Sequence, residues 1–158
     1  MQHRILLWAA LAAFLIDQIS KYIVVRELHV ADHPGGIDVL PPLLTFKYGE
    51  NRGINFGLLQ GDTDAARWVL TGISLAVCLG VLVWLLRTGQ SKFIMACGGM
   101  LVGGAVGNVV DRVLYGYVLD FLNMSCCGIN NPFVFNFADV FIFAGALGLL
   151  LVDSKKAT

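Results

Sequence analysis

Residues 93–113 read FIMACGGMLVGGAVGNVVDRV, an apolar run rich in glycine that ends on Asn108, Asp111 and Arg112. About 20 helical residues, each rising about 1.5 Å, cross a hydrocarbon core about 30 Å thick. The stretch therefore predicts a transmembrane helix. Small residues let membrane helices bring their backbones close together. Gly98-Gly99 and Gly103-Gly104-Ala105-Val106-Gly107 accordingly predict tight packing against neighbouring helices. They do not predict a phosphate-cradling loop, because no strand precedes them and no Lys-Ser/Thr follows.

Three further stretches of similar length lie on either side: Ile5 to Val25, Trp68 to Leu86 and Phe133 to Val152. The chain is 57% hydrophobic and 14% charged, with a mean hydropathy of +0.74. That is too apolar for a solvated surface, and 158 residues are too few for several large domains. The expected fold is membrane α-helical, with four transmembrane helices in a single integral membrane domain over residues 1–158. Eleven basic residues balance eleven acidic ones without a polybasic stripe, so nucleic acid is not an expected partner.

The distribution of charge orients the helices. Arg4, the Arg87 to Lys92 connection and Lys155-Lys156 fall on one side, while the Arg26 to Arg67 segment carries six acidic residues against four basic ones. By the positive-inside rule both termini are expected to be cytoplasmic. Trp8, Trp68 and Trp84 near predicted helix ends suit interfacial belts, though ordinary packing also places Trp there. The apolar run after Arg4 continues past Asp17 to Val25 without a small-residue cleavage pattern, so it is expected to be kept as an anchor helix.

The segment of about residues 27–66 is the largest piece outside the predicted helices. Alternation in Leu44-Thr45-Phe46-Lys47-Tyr48 fits a short strand, and Pro41-Pro42 argues for an edge or bend before it. A small β-containing cradle on the outer, periplasmic face between helices 1 and 2 is expected. Its Ile54, Phe56, Leu58 and Leu59 are placed either in the membrane interface or against the helices.

Carboxylates carry the chemistry. An ionisable group at bilayer depth costs at least about 2.5 kcal/mol on insertion scales, so such a group is a functional candidate by default. Asn108-Val109-Val110-Asp111 and Asn136-Phe137-Ala138-Asp139 repeat one pattern, with residues three apart on one helical face. A shared polar site toward the outer side is the functional expectation, and chance recurrence is the plain one. Other machinery is missing. His3, His29 and His33 lie outside the apolar segments, there is no HExxH, and Ser20-Lys21 and Ser91-Lys92 are adjacent pairs whose side chains diverge on a helix. Cys78 and Cys97 are expected as buried apolar groups. Cys126-Cys127 has no CxxC spacing and supports neither a disulfide framework nor zinc. No metal or cofactor is expected.

Two neighbouring carboxylates titrate as a unit and hold one proton between them, an arrangement suited to peptide hydrolysis. Asp17 has Lys21 at i+4, and Asp111 lies beside Arg112 and near Asn108, so pairing accounts for both. Asp120 and Asp139 have no nearby basic residue in sequence. Spacing leaves the choice open, because tertiary contacts decide it.

Five blocks then carry a resemblance: Asp17-Gln18-Ile19-Ser20-Lys21; Asn51-Arg52-Gly53 with Phe56-Gly57; Gly103 to Asn108 leading to Asp111-Arg112; Val118-Leu119-Asp120-Phe121; and Phe135-Asn136-Phe137-Ala138-Asp139. In this order and over nearly its whole length the chain resembles the bacterial lipoprotein signal peptidases, signal peptidase II. The resemblance implies a multi-pass aspartic endopeptidase of the inner membrane whose active site faces the periplasm. It would cut diacylglyceryl-modified prolipoproteins on the amino side of the lipidated cysteine. It implies Asp120 and Asp139 as the catalytic pair. Asn51, Gly53, Asn108, Arg112, Asn136 and Ala138 would shape the site or contact substrate and peptide-like inhibitors such as globomycin. Asp17, Lys21 and Asp111 would be supporting polar groups, and membrane lipids would be partners. One departure is visible: the family often reads Asn-x-Gly-Ala-Ala-Phe, whereas Ile54-Asn55 precede Phe56 here, which bears on the shape of the cradle.

Two rival classes remain distinguishable. A small proton-linked transporter would use Asp17, Asp111 and Asp139 as a relay, but the paired half-repeats common in transporters are missing. A non-catalytic lipoprotein-binding factor would carry its function in the cap.

Overall fold

The computed structural model describes residues 2–53, 64–126, 128 and 131–153. Four α-helices, α1 (Gln2–Lys21), α2 (Asp64–Thr88), α3 (Lys92–Tyr115) and α4 (Phe137–Asp153), surround and extend from α3, which packs against the other three. A π-helical turn over Tyr22–Glu27 prolongs α1. Among the described residues, three helices are long and apolar enough to cross a membrane: Gln2–Glu27, Asp64–Thr88 and Lys92–Tyr115. The fourth is shorter than expected. It starts at Phe137 rather than Phe133, and its 17 residues rise only about 25 Å against a hydrocarbon core of about 30 Å. The cause is a backbone exchange, Phe135 N–H to Leu122 O at 3.0 Å and Leu122 N–H to Phe135 O at 2.8 Å, which pairs Phe135 with the strand Val118–Met124 and keeps it out of the helix.

The bundle exposes large apolar side chains and buries charged ones. Trp8, Phe143 and Leu150 stand 66%, 71% and 68% exposed, whereas Asp17 and Asp111 are fully buried. An apolar exterior with the charged groups drawn inside, beside apolar packing such as that of Leu85 and Met95, is what a hydrocarbon solvent selects. The ends of α3 are set locally: the Ser91 hydroxyl accepts the Ile94 N–H at 3.4 Å, and Gly116 closes the helix at φ +89°, a conformation without penalty for glycine.

Glycines set how closely the helices approach. A Cβ on Gly103 would meet the backbone of Ala10 on α1, and one on Gly107 would lie 2.7 Å from Asp17 Oδ2. Backbone cannot yield as a side-chain tip can. Gly103→Leu is therefore expected to cost about 1–3 kcal/mol or more by overpacking, read as a lowered unfolding midpoint in detergent. An unchanged midpoint would show that the α1–α3 contact is looser than it stands here.

Outside the bundle, β1 (Ile37–Leu40), β2 (Leu44–Asn51) and β3 (Val118–Met124) form one antiparallel sheet in that order. The expected strand at Leu44–Tyr48 lies within β2. The third strand was not expected: it comes from the connection between α3 and α4, and it is buried from Val118 to Asn123. Phe121 is fully buried at its centre, edge-on to Phe46 at 5.6 Å and 6.0 Å from Phe137, which ties sheet to bundle. Residues 54–63, including Ile54, Asn55, Phe56, Leu58 and Leu59, lie outside the described residues.

Candidate active site

The first turn of α4 builds the site from local chemistry. Asn136 Oδ1 accepts the Asp139 N–H at 2.9 Å while Asp139 Oδ2 accepts the Asn136 N–H at 3.2 Å. This reciprocal capping box satisfies two donors that a helix start leaves without partners, with Asp in the place usually held by Glu. It also fixes the Asp139 carboxylate at the positive end of α4.

The Asn136 amide spends its N–H groups elsewhere. Nδ2 donates to Asp120 Oδ1 at 2.6 Å, Leu119 O at 3.2 Å and Asn108 Oδ1 at 3.2 Å. Asp120 Oδ2 accepts from Asn51 Nδ2 at 3.2 Å, in a register where Gly49 of β2 faces Asp120 of β3. Asn108 Nδ2 donates to Asp139 Oδ1 at 3.0 Å. Asn136 thus bonds to both aspartates, and α3, α4 and the sheet converge on them. Burial pushes the Asp120 carboxyl up to about 7, and the Asp139 carboxylate beside it adds to the rise.

Behind this pair lies a buried charge cluster. Lys21 Nζ bridges Asp17 Oδ2 and Asp111 Oδ2, each at 2.7 Å. Asp17 Oδ1 accepts the Ala138 N–H at 2.8 Å, capping α4 from α1. Asp111 Oδ2 also accepts the Leu119 N–H at 3.1 Å, which holds the start of β3.

The candidates of the sequence reading separate accordingly. Asp120, Asp139, Asn51, Asn108 and Asn136 come together, and Ala138 is buried in the same turn. Asp17 pairs with Lys21 as the i+4 spacing implied. Asp111 takes Lys21 and Gln18 as partners rather than the expected neighbours Arg112 and Asn108, because the helical twist turns its side chain toward α1. Arg112 donates to Asn108 O at 3.4 Å, and its charge is felt by Asp139, Asp111 and Asp120. Gly53 is half-buried just beyond β2. The repeated Asn-x-x-Asp pattern acts as a local pair only at Asn136 and Asp139, whereas Asn108 reaches across to α4. Gln18 was missed: it donates to Asp17 Oδ2 at 3.1 Å and Asp111 Oδ1 at 3.0 Å, and its place beside Asp17 in an apolar helix was the available signal. Among the described residues there is no cluster of His, Cys, Asp and Glu able to hold a metal ion.

Two adjacent carboxyl groups, one buried enough to keep a proton at neutral pH, can act together as acid and base. Known proteins share the whole chain pattern. The "Lipoprotein signal peptidase" of Methylorubrum extorquens (strain PA1) is 39% identical over 150 residues, covering 94% of this chain and 85% of its own length. That of Caulobacter vibrioides is 41% identical over 149 residues, covering 92% and 83%. A bacterial membrane enzyme solved by the in meso method at 2.3 Å superposes with a TM-score of 0.82 at 25% identity, over 97% of this chain and 89% of that one. The model of the family described as signal peptidase (SPase) II matches residues 9–154, and with relatives this similar over nine-tenths of its length the chain belongs to that family.

Proposed function

We propose that the chain is an aspartic endopeptidase of the bacterial inner membrane that removes signal peptides from lipoproteins, with Asp120 and Asp139 as its catalytic pair. The observation that carries this reading is the convergence of the two carboxylates, from β3 and α4, on Asn136. Family membership and the names of the relatives support the substrate class.

In the proposed reaction a water between the carboxyl groups loses a proton to ionised Asp139 as its oxygen attacks the scissile carbonyl carbon. Protonated Asp120 gives its proton to the carbonyl oxygen, producing a neutral gem-diol. Collapse breaks the C–N bond: the leaving nitrogen takes the proton held by Asp139, and Asp120 regains one from the diol. No charge accumulates in the low-dielectric site, which favours this route over an exposed oxyanion.

The resemblance supports the finer reading: a diacylglyceryl-modified precursor is cut on the amino side of its lipidated cysteine. Asn51, Gly53, Arg112 and Ala138 line the peptide's approach and the position of an inhibitor such as globomycin. Acyl chains would lie along the apolar exterior, each buried methylene contributing about 0.8 kcal/mol. α4 together with the residues just before it makes the fourth crossing, both termini are cytoplasmic, and the site opens to the periplasm.

The test is hydrolysis by the purified, reconstituted chain of a lipidated precursor and of the same precursor without lipid. Cleavage of the first and not the second is expected. Ion flux or binding without cleavage would replace this reading with a transporter or a binding factor. Protonated Asp120 is the acid, and its carboxyl titrates at about 7, so the form carrying the proton exists below that value and is lost above it. The cleavage rate is accordingly expected to fall as pH rises through about 7; a rate that climbs steadily through neutrality would assign the acid to another group.

A further inference from the structure

Asn108 presents one end of its amide to each of two different environments. Its Oδ1 accepts from Lys21 Nζ at 3.3 Å and from Asn136 Nδ2 at 3.2 Å, while its Nδ2 donates to Asp139 Oδ1 at 3.0 Å. Turning the amide over would set N–H groups against both donors and a carbonyl against a carboxylate oxygen. The lysine is the firmer of the two locks. An ammonium has three N–H donors, and those of Lys21 meet Asp17 Oδ2, Asp111 Oδ2 and Asn108 Oδ1. Asn136 Nδ2 instead divides its hydrogens among Asn108, Leu119 and Asp120.

We propose that Lys21 is a positioning residue for the hydrolysis: by fixing the Asn108 amide with its N–H toward Asp139, it keeps Asp139 an acceptor and the shared proton on Asp120. This rests on the peptidase reading above and adds to it the device that decides which carboxyl is acid and which is base. With Lys21 removed, Asn108 can turn its oxygen toward Asp139. The proton is then drawn to Asp139 to fill that contact, and the acid and base roles blur.

Lys21 pairs with Asp17 on its own helix and Asp111 on α3, its charge reaches Asp120 on β3, Asp139 on α4 lies across the Asn108 amide from it, and Arg112 on α3 acts on the same Asp111, Asp120 and Asp139. A cavity of about 490 Å³ reaches Lys21 and Asp111, with Tyr22, Arg26, His29 and Tyr48 also in its wall and neither Asp120 nor Asp139 among its lining. A small amine can therefore approach the position from outside the catalytic pair.

The experiment uses the reconstituted chain and a lipidated precursor. In Lys21→Met, kcat is expected to fall on the order of tenfold while KM stays within about twofold. The pH–rate profile should move to higher pH, because losing a cation beside carboxylates favours their protonated forms. Ethylamine added to Lys21→Ala should restore part of kcat. A wild-type profile, with kcat lowered only in proportion to the folded fraction and no response to amine, would reduce Lys21 to a structural role. Where Lys21→Met does not fold, Lys21→Met/Asp111→Asn removes one unpaired buried carboxylate and is judged by the same profile. Failure of the unsubstituted chain to cleave would overturn the peptidase reading, and the role of Lys21 with it.

Discussion

Asp120→Asn and Asp139→Asn are each expected to lower kcat for a lipidated precursor by about 100-fold to 10,000-fold, the span over which a positioned acid or base acts. Both substitutions keep the shape of the side chain, so loss of proton transfer is separated from loss of packing. Asp120→Asn resembles the protonated acid but cannot deliver its proton to the carbonyl. Asp139→Asn keeps an oxygen for one of the two donors that Asp139 accepts, Asn108 Nδ2 on Oδ1 and the Asn136 N–H on Oδ2, but cannot take a proton from water. Because the two act as a unit, the double variant should be scarcely slower than either single one. Single-turnover rates in reconstituted membranes, with unfolding midpoints as a control, decide the matter. Near-normal turnover by a folded variant would remove that residue from the pair.

The second large effect concerns stability. Asp17→Ala is expected to cost about 3–5 kcal/mol, the range for breaking a buried ion pair by removing one partner. Asp17 is fully buried, and its two oxygens serve different elements: one pairs with Lys21 at 2.7 Å, the other caps the Ala138 N–H at 2.8 Å. Its loss leaves the Ala138 N–H in the first turn of α4 without its acceptor, which by itself costs about 1 kcal/mol, and leaves Asp111 as the ammonium's remaining close ion-pair partner. Asp17→Asn, which keeps an acceptor for the backbone, should cost less. Denaturant unfolding in micelles measures both, and a loss within about 1 kcal/mol for the alanine variant would mean that α1 and α4 are held together by apolar packing alone.

How much of this was legible depends on the range of each interaction. Helix spans, the i+4 pair of Asp17 and Lys21 and the strand at Leu44–Tyr48 are written within a few residues of themselves, so periodicity and spacing reveal them. Strand β3 is different. Val118–Met124 extends because it finds β2 beside it and Phe135 on its other side. The same backbone exchange delays the start of α4 past Phe133, although the apolar run begins there. Local pattern also misassigned partners: Asp111 sits next to Arg112 in sequence but its carboxylate pairs with Lys21 across the α1–α3 contact.

The amino-acid order by itself determined a bilayer-crossing helical protein with buried carboxylates, since hydrophobic length and the cost of intramembrane charge are properties of short segments. It also carried, block by block, the likeness that marked residues 120 and 139. Only the tertiary structure decided that Asn136 bonds to both aspartates, that Asn108 serves Asp139 rather than Asp111, and that Lys21 stands behind them. Those contacts join residues far apart in the chain, and they form only because glycines on α3 let α1 and α4 come close enough for short polar side chains to meet.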